Sequence, residues 1–154
     1  LMTGVSPTSF APEDQLTRAM LATILYRVSG DTAQHGHPFT DVPAGQWYSD
    51  AIAWAYENGV VTGTGATTFR PEDNVTREQA AAMLYRFAGQ PEATGDVSAF
   101  HDASDISAYA VTPLRWAVGA GIINGKSATE LDPTGTATRA EIAKILAFWL
   151  TQQN

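Results

Sequence analysis

The sequence contains no cysteine, and this absence excludes disulfide frameworks, thiolate metal sites and cysteine nucleophiles. Basic residues are also scarce: nine Lys and Arg face sixteen Asp and Glu, so the formal net charge is −7. Nucleic acid and anionic membranes repel an acidic chain at long range, which excludes both as general partners. No apolar run approaches the roughly 18 residues of a membrane-spanning helix. Hydrophobic residues still make up 44% of the chain, a fraction typical of a folded domain.

Recognisable catalytic and metal-binding motifs are absent as well. The chain has neither a Gly-x-Ser-x-Gly elbow nor a phosphate-cradling glycine loop, and its carboxylates are scattered. His35 and His37 form a His-x-His pair, but two imidazoles without a third ligand are weak evidence for a metal site. We therefore predict a protein that is not an enzyme and that uses neither a metal nor another cofactor.

What the sequence does contain is an internal repeat, marked by a Thr-Arg dipeptide that recurs at spacings of 59 and 62 residues. A proline stands five residues before each threonine, and a large apolar residue stands two before that proline. The dipeptides are Thr17-Arg18, Thr76-Arg77 and Thr138-Arg139. The upstream half of the repeat occurs only twice. We therefore predict two and a half copies: the second half of the first copy within 1–38, the second copy in 39–98 and the third in 99–154.

Each complete copy is predicted to form two helices joined by a loop, which gives an all-α fold of helical-hairpin repeats. In the second copy, the apolar spacing predicts a first helix over 47–58 and a second over 76–89. The first copy holds only the second helix, at 17–29. In the third copy Pro113 falls within the first helix. It is either the first helical residue behind a Thr112 cap, or it follows a short 3₁₀ turn.

The repeated threonine is explained as a helix N-cap, because its hydroxyl can accept a hydrogen bond from a first-turn amide. A Gln or Glu three residues later completes a capping box in the second and third copies. Met20 takes this place in the first copy, so the reciprocal bond is expected to be lost there.

The repeated arginine needs a different explanation, because a cation at the first helical position costs roughly a few tenths of a kcal/mol against the helix dipole. One interpretation is an ion pair with a neighbouring acid, such as Asp41 or Asp102. The other is an anion pocket, in which the guanidinium and the helix-end amides hold one carboxylate or phosphate. The two can coexist, with an acid orienting the arginine.

Together these features resemble the S-layer homology domain. The family motif combines Phe-x-Asp-Val-Pro, a tryptophan, an Ala-Ile helix, a glycine-bounded apolar tetrad, Phe-x-Pro and a terminal Thr-Arg-Ala-Glu. The second copy matches it with Phe39-Thr40-Asp41-Val42-Pro43, Trp47, Ala51-Ile52, Gly59-Val60-Val61-Thr62-Gly63, Phe69-Arg70-Pro71 and Val75-Thr76-Arg77. The third copy ends in Thr138-Arg139-Ala140-Glu141. It departs from the motif at Ala103 and Pro113, and the second copy departs at Glu78-Gln79.

The resemblance implies helical repeats in a pseudo-threefold arrangement, with ligand grooves between adjacent repeats. It also implies non-catalytic anchoring of a bacterial surface protein to the cell wall, outside the cell. The implied partner is a secondary cell-wall polysaccharide, which often ends in a pyruvylated amino sugar. By motif match, Arg18, Arg77 and Arg139 would face the acidic group of this glycan.

Further residues are candidates for contact with the glycan. Trp47 and Tyr109, at the predicted helix starts, could stack on a sugar ring or could simply pack in the core. Asp41 and Asp102 could hold loop amides or an arginine, or could touch the sugar. The remaining candidates are Gly63 and Gly125, whose turns let the backbone approach closely, and the loop cation Lys126.

The alternative function is a helical-repeat module for protein–protein interaction or self-assembly. The absent first helix of the first copy motivates it, since Leu21, Ile24 and Leu25 would be left partly uncovered. On this hypothesis, either upstream residues or a second chain supplies the cover.

Overall fold

The computed structural model describes residues 16–62, 67–121, 123 and 129–152. In these ranges the regular structure is helical, with no strand and two isolated bridges, and the predicted all-α class is confirmed. The helices are α1 (Arg18–Ser29), α2 (Ser49–Glu57), α3 (Arg77–Phe87), α4 (Val111–Gly119) and α5 (Arg139–Gln152). Short 3₁₀ turns lie at Ala103–Asp105 and Ala108–Ala110.

The chain folds into two compact units that are offset from the sequence copies by half a repeat. The described part of unit 1 is Leu16–Val75, and unit 2 begins at Thr76. Unit 1 packs α1 against α2, and unit 2 packs α3 against α4. Each unit therefore joins the second helix of one copy to the first helix of the next, and unit 2 also contains α5. The contacts between α1 and α2 and between α3 and α4 thus each link two copies of the sequence.

The three repeated threonines cap their helices as predicted. The hydroxyls of Thr17, Thr76 and Thr138 each accept a hydrogen bond, at 3.1–3.2 Å, from the amide three residues later. The expectation for the first copy is wrong, because the sulfur of Met20 lies 3.5 Å from the amide nitrogen of Thr17 and accepts its hydrogen bond. A thioether sulfur is a weak acceptor, but it is enough to complete the box.

Pro113 is placed by the second of its two predicted arrangements. The 3₁₀ turn Ala108–Ala110 leads directly into α4, and Pro113 is the third residue of that helix. A Thr112 cap followed by Pro113 as the first residue is therefore wrong. The position tolerates proline because amides in the first helical turn have no intrahelical acceptor.

Each unit buries its own apolar core, with one tryptophan against one tyrosine. Trp54 lies 5.7 Å from Tyr26 in unit 1, and Trp116 lies 5.7 Å from Tyr85 in unit 2, measured between ring centroids. The fully buried side chains include Leu21, Leu25, Ile52 and Phe69 in unit 1 and Leu84, Leu114, Leu131 and Ile142 in unit 2. Leu21, Ile24 and Leu25 are all buried, so the expectation that they are partly uncovered is wrong.

A histidine clamp ties the connection between α1 and α2 to the end of α2. The Nδ1 atom of His35 lies 2.7 Å from Oε1 of Glu57, and its Nε2 atom lies 3.2 Å from Oδ1 of Asp31. The amide of Gly36 donates to the other oxygen of Glu57 at 3.1 Å. A ring flanked by carboxylates at both nitrogens is best satisfied when both nitrogens carry protons, which is the cationic form.

The clamp predicts that His35→Gln destabilises unit 1 more at about pH 6 than at about pH 9. The pKa of His35 is raised by the hydrogen bond with Glu57 first and with Asp31 second. A raised pKa gives a contribution that is complete below the unfolded pKa and lost as pH rises through the folded value. Urea midpoints of both proteins measure this difference, and the same gap at both pH values would contradict the prediction.

Candidate functional site

The three repeated arginines occupy the positions that the sequence predicted, as the first residues of α1, α3 and α5. Their side chains are nonetheless largely buried: Arg18 is 6% exposed, Arg77 7% and Arg139 3%. Each guanidinium therefore belongs to the framework of its unit as much as to its surface.

In unit 1, Arg18 is held by the loop that follows α2. Its Nε donates to the carbonyl oxygen of Phe69 at 2.9 Å, and its guanidinium carbon lies 4.5 Å from the centroid of the Phe69 ring. These are a hydrogen bond and a cation–π contact, and together they fix the plane of the guanidinium. The sequence separation of 51 residues shows that this contact joins two copies of the repeat.

Unit 2 repeats the arrangement and adds an ion pair. The Nε of Arg77 donates to the carbonyl oxygen of Leu131 at 3.0 Å, and Leu131 is the counterpart of Phe69. The Nη1 of Arg77 also pairs with Oε2 of Glu141. The predicted ion pair is thus present for Arg77, but its acidic partner is Glu141 rather than Asp102.

The amides at the two helix starts are already used by the protein. In α1 the amides of Arg18 and Ala19 donate to the carbonyls of Asp73 and Pro71, at 2.8 and 3.0 Å. In α3 the amides of the first two residues, Arg77 and Glu78, donate in the same way to the carbonyls of Gly135 and Pro133, both at 2.8 Å. The expectation that helix-end amides hold an anion is therefore wrong for α1 and α3, because loop carbonyls occupy them.

Asp41 and Asp102 hold the loops that receive the arginines. Asp41 accepts from the amides of Phe69 and Arg70, at 2.9 and 2.8 Å, one on each carboxylate oxygen. Asp102 accepts in the same way from the amides of Leu131 and Asp132, at 2.9 and 2.7 Å. This is the structural role that the sequence analysis left open, and direct contact of either aspartate with a sugar stays a prediction.

The aspartates also support a strained residue in each loop. Arg70 and Asp132 have left-handed backbone angles, with φ of 59° and 57°, and each precedes a proline. Such a conformation costs roughly 1–2 kcal/mol in a residue with a side chain. The carboxylate of Asp41 or Asp102 offsets this cost by binding the amide of the strained residue.

Asp41→Asn is expected to destabilise unit 1 by about 1–3 kcal/mol at neutral pH, because an amide group cannot accept two hydrogen bonds on separate oxygens. Burial alone would raise the pKa of Asp41, but the bonds from Phe69 and Arg70 outweigh burial and hold this pKa below its ordinary value. The stabilisation is therefore present above an ordinary pKa of about 3.9 and is lost as pH falls through the folded value.

Urea unfolding of Asp41→Asn and of wild type between about pH 3 and pH 7 measures this effect. Asp50→Asn is the matched control, since Asp50 is exposed in the first turn of α2. An Asp41→Asn variant as stable as wild type at neutral pH would contradict the structural role of the carboxylate.

The two predicted aromatic candidates are the most exposed of the large apolar side chains among the described residues. Trp47 is 60% exposed and lies just before α2. Tyr109 is 47% exposed and lies in the 3₁₀ turn just before α4. The alternative that these two rings pack in the core is therefore wrong, because both rings are accessible to solvent. Three other predicted site residues, Gly63, Gly125 and Lys126, lie outside the described residues.

Glu78 is a site residue that the sequence analysis did not assign. It follows Arg77 in the first turn of α3, is buried, and accepts from Ser107 and from the hydroxyl of Tyr109. The exposed aromatic of unit 2 is thereby placed beside the helix start that carries Arg77. The sequence did contain a signal for this residue, because the family motif Thr-Arg-Ala-Glu has Ala where this copy has Glu78.

Neither a metal centre nor a membrane span is found among the described residues. No group of three or more His, Asp or Glu in those ranges could hold an ion. In the same part of the chain, each helix is too short or too polar to cross a bilayer.

Comparison with known proteins places these units in a family. The family model for the S-layer homology domain matches residues 38–81 and 99–143. The Surface-layer 125 kDa protein of Lysinibacillus sphaericus is 37% identical over 147 residues, which cover 94% of this chain and 12% of that protein. Exoglucanase XynX of Acetivibrio thermocellus is 32% identical over 160 residues, covering 100% of this chain and 14% of the enzyme.

S-layer protein EA1 of Bacillus anthracis is 30% identical over 133 residues, which cover 85% of this chain and 14% of that protein. The chain thus spans only 12–14% of the length of these three relatives. The similarity to an exoglucanase therefore concerns a small part of that enzyme.

Proposed function

Because the chain belongs to the S-layer homology domain family, we propose that it anchors a bacterial surface protein to the cell wall by binding a secondary cell-wall polysaccharide. The binding is non-covalent, takes place outside the cell and involves no catalysis. The polysaccharide is acidic and carries a pyruvylated sugar.

One observation carries the carbohydrate assignment: both units expose an aromatic ring at the same place in the sequence copy, and these two rings are the most exposed large apolar side chains among the described residues. Trp47 and Tyr109 are 60% and 47% exposed, although large aromatic side chains are usually buried. The apolar face of a sugar ring can stack on such a surface while the sugar hydroxyls stay hydrated. In unit 2 this ring lies beside the first turn of α3, because the Tyr109 hydroxyl is 3.4 Å from Glu78.

The arginines supply the positive charge for the acidic substituent. Arg18 and Arg77 are bonded through Nε to loop carbonyls, so their guanidinium planes are set before a ligand arrives. A fixed donor loses little entropy on binding. In a partly buried setting its charge is also screened less than in water. Arg139 is the first residue of α5, as Arg18 is of α1 and Arg77 is of α3, and it is proposed for the same role.

Co-sedimentation with isolated cell walls tests this function. We expect the wild-type chain to pellet with walls that carry the pyruvylated polysaccharide, and to stay in solution with walls from which the polysaccharide has been removed. Peptidoglycan content is the same in both preparations, which makes them a matched pair. Equal pelleting with both preparations, or with neither, would overturn the proposal.

A further inference from the structure

Glu141 brings a carboxylate to a position where the other two repeated helices have a neutral side chain. It is the third residue of α5, and the equivalent residues are Met20 in α1 and Gln79 in α3. All three complete a capping box, because each side chain accepts the hydrogen bond of its own N-cap amide. A neutral side chain is therefore sufficient for the cap, and the negative charge of Glu141 serves another contact.

That contact is the ion pair with Arg77. The Oε1 atom of Glu141 accepts from the amide of Thr138 at 3.0 Å, and its other oxygen, Oε2, pairs with Nη1 of Arg77. The side chain of Arg77 is buried, whereas 30% of the Glu141 side chain is exposed. The carboxylate thus contacts a buried guanidinium from a position that solvent also reaches, and a dissolved anion can reach the same position.

The orientation of Arg77 does not depend on this ion pair alone. Its Nε donates to the carbonyl oxygen of Leu131 at 3.0 Å, and Arg18 makes the equivalent bond to Phe69 in unit 1. We therefore expect Arg77 to keep its place when the charge of Glu141 is removed. What Glu141 adds is negative charge, because two carboxylates that approach one guanidinium repel each other.

We propose that Glu141 is an internal competitor for Arg77: its carboxylate occupies the guanidinium in the free protein, and the acidic group of the glycan takes its place on binding. This inference rests on the proposed glycan binding and deepens it, because it makes Glu141 a residue that sets the affinity of unit 2. A competitor tethered by the chain has a high effective concentration at Arg77. The same ion pair thus stabilises the free protein and weakens its binding of an anion.

Glu141→Gln tests the inference in a site-resolved NMR titration of the whole chain with a pyruvylated amino-sugar monosaccharide. Glutamine removes the charge and keeps the cap, as Gln79 does in α3. The Nε–H resonance of Arg77 reports the Kd of unit 2, and that of Arg18 reports the Kd of unit 1. In Glu141→Gln we expect the Kd from Arg77 to fall about tenfold, while the Kd from Arg18 is unchanged.

Two further measurements separate competition from a merely structural role. Glu141→Gln should unfold at lower urea concentrations than wild type, because the ion pair is lost, although it binds the saccharide more tightly. Its Kd should also rise more steeply with salt, because Arg77 beside a neutral glutamine keeps a net positive charge. Glu92→Gln is the charge-matched control, since Glu92 is an exposed glutamate of the same unit, and its Kd values should equal those of wild type.

Two safeguards cover a Glu141→Gln variant that does not fold. Glu141→Met is the second variant, because the sulfur of Met20 completes the same cap in α1. In the wild-type chain, the carboxyl carbon resonance of Glu141 should shift when the saccharide binds, because its carboxylate leaves Arg77. A resonance that stays in place at saturation of unit 2 would overturn the inference.

The failures of the two proposals are distinguishable. A wild-type chain in which the saccharide shifts neither the Arg18 nor the Arg77 resonance would overturn the glycan-binding function, and this inference with it. Wild-type binding that is equalled or weakened in the neutral variants at Glu141 would overturn the inference alone. An equal gain of affinity in Glu92→Gln would do the same, since net charge would then explain the effect.

Discussion

Arg77→Ala is expected to lower the affinity of unit 2 for the acidic glycan by at least about tenfold, the effect of losing one charge-assisted hydrogen bond. It should also destabilise the unit by about 1–3 kcal/mol, because Glu141 loses its cation and the Leu131 carbonyl loses a donor. The side chain is 7% exposed, so it cannot be removed as an independent surface group.

Arg77→Lys separates charge from geometry at this position. Lysine keeps the positive charge but lacks the planar fork that bonds Leu131 through Nε and Glu141 through Nη1 together. We therefore expect part of the stability to return and the binding to stay weak. Arg27→Ala is the control, since Arg27 is an exposed arginine in the last turn of α1.

Calorimetric titration with the glycan, together with urea unfolding of the same proteins, measures both effects. Full binding by Arg77→Lys would show that a point charge suffices. Wild-type affinity in Arg77→Ala would remove Arg77 from the site altogether.

Phe69→Ala is expected to cause the largest loss of stability, about 3–5 kcal/mol, because a fully buried ring leaves a cavity. Phe69 has no exposed surface and contacts Phe39 at a centroid distance of 5.4 Å. It also lies under the guanidinium of Arg18, so its removal takes away a cation–π contact as well. Unit 1 should then unfold at markedly lower urea concentrations.

The chain supplies its own control for this position. Leu131 takes the place of Phe69 in unit 2, is equally buried, and offers its carbonyl to Arg77 in the same way. Phe69→Leu should therefore cost less than about 1.5 kcal/mol, because the carbonyl and most of the volume remain. The free energies of unfolding test this, and a Phe69→Leu variant as unstable as Phe69→Ala would contradict it.

The sequence predicted the local features of the fold well. The threonine caps follow from hydrogen bonds that span three residues, so one short motif contains all of the information. The 3₁₀ turn before Pro113 was one of the two arrangements that the sequence allowed, because proline restricts its own backbone without fixing where the helix begins. The cap interactions are local, and a local pattern is enough to identify them.

The long-range hydrogen-bond and ion-pair partners could not be predicted from the sequence. Arg77 and Glu141 are 64 residues apart, and Asp41 reaches the amide of Phe69 across 28 residues. The motif could place the arginine and the aspartate, but spacing carries no information about which loop crosses which helix start. The same limit explains why the carbonyls on the first-turn amides of α1 and α3 were not foreseen.

Because the sequence repeats, the same long-range contacts nevertheless occur in both units. The Asp41–Phe69–Arg18 set of unit 1 recurs in unit 2 as the set Asp102–Leu131–Arg77, atom for atom at the carboxylate and at Nε. The two units differ where side chains reach the surface, at Trp47 and Tyr109. The proposed function therefore predicts that the two units make the same framework contacts but different aromatic contacts with a bound glycan.

The central claim is that an acidic sugar substituent is what this chain recognises, and one calorimetric experiment tests it most directly. The purified cell-wall polysaccharide is titrated into the wild-type chain before and after its pyruvyl groups are removed by mild acid. We predict that removing these groups weakens binding by at least about tenfold, the effect of one lost charge-assisted contact. Equal affinity for the two polysaccharides would contradict the account.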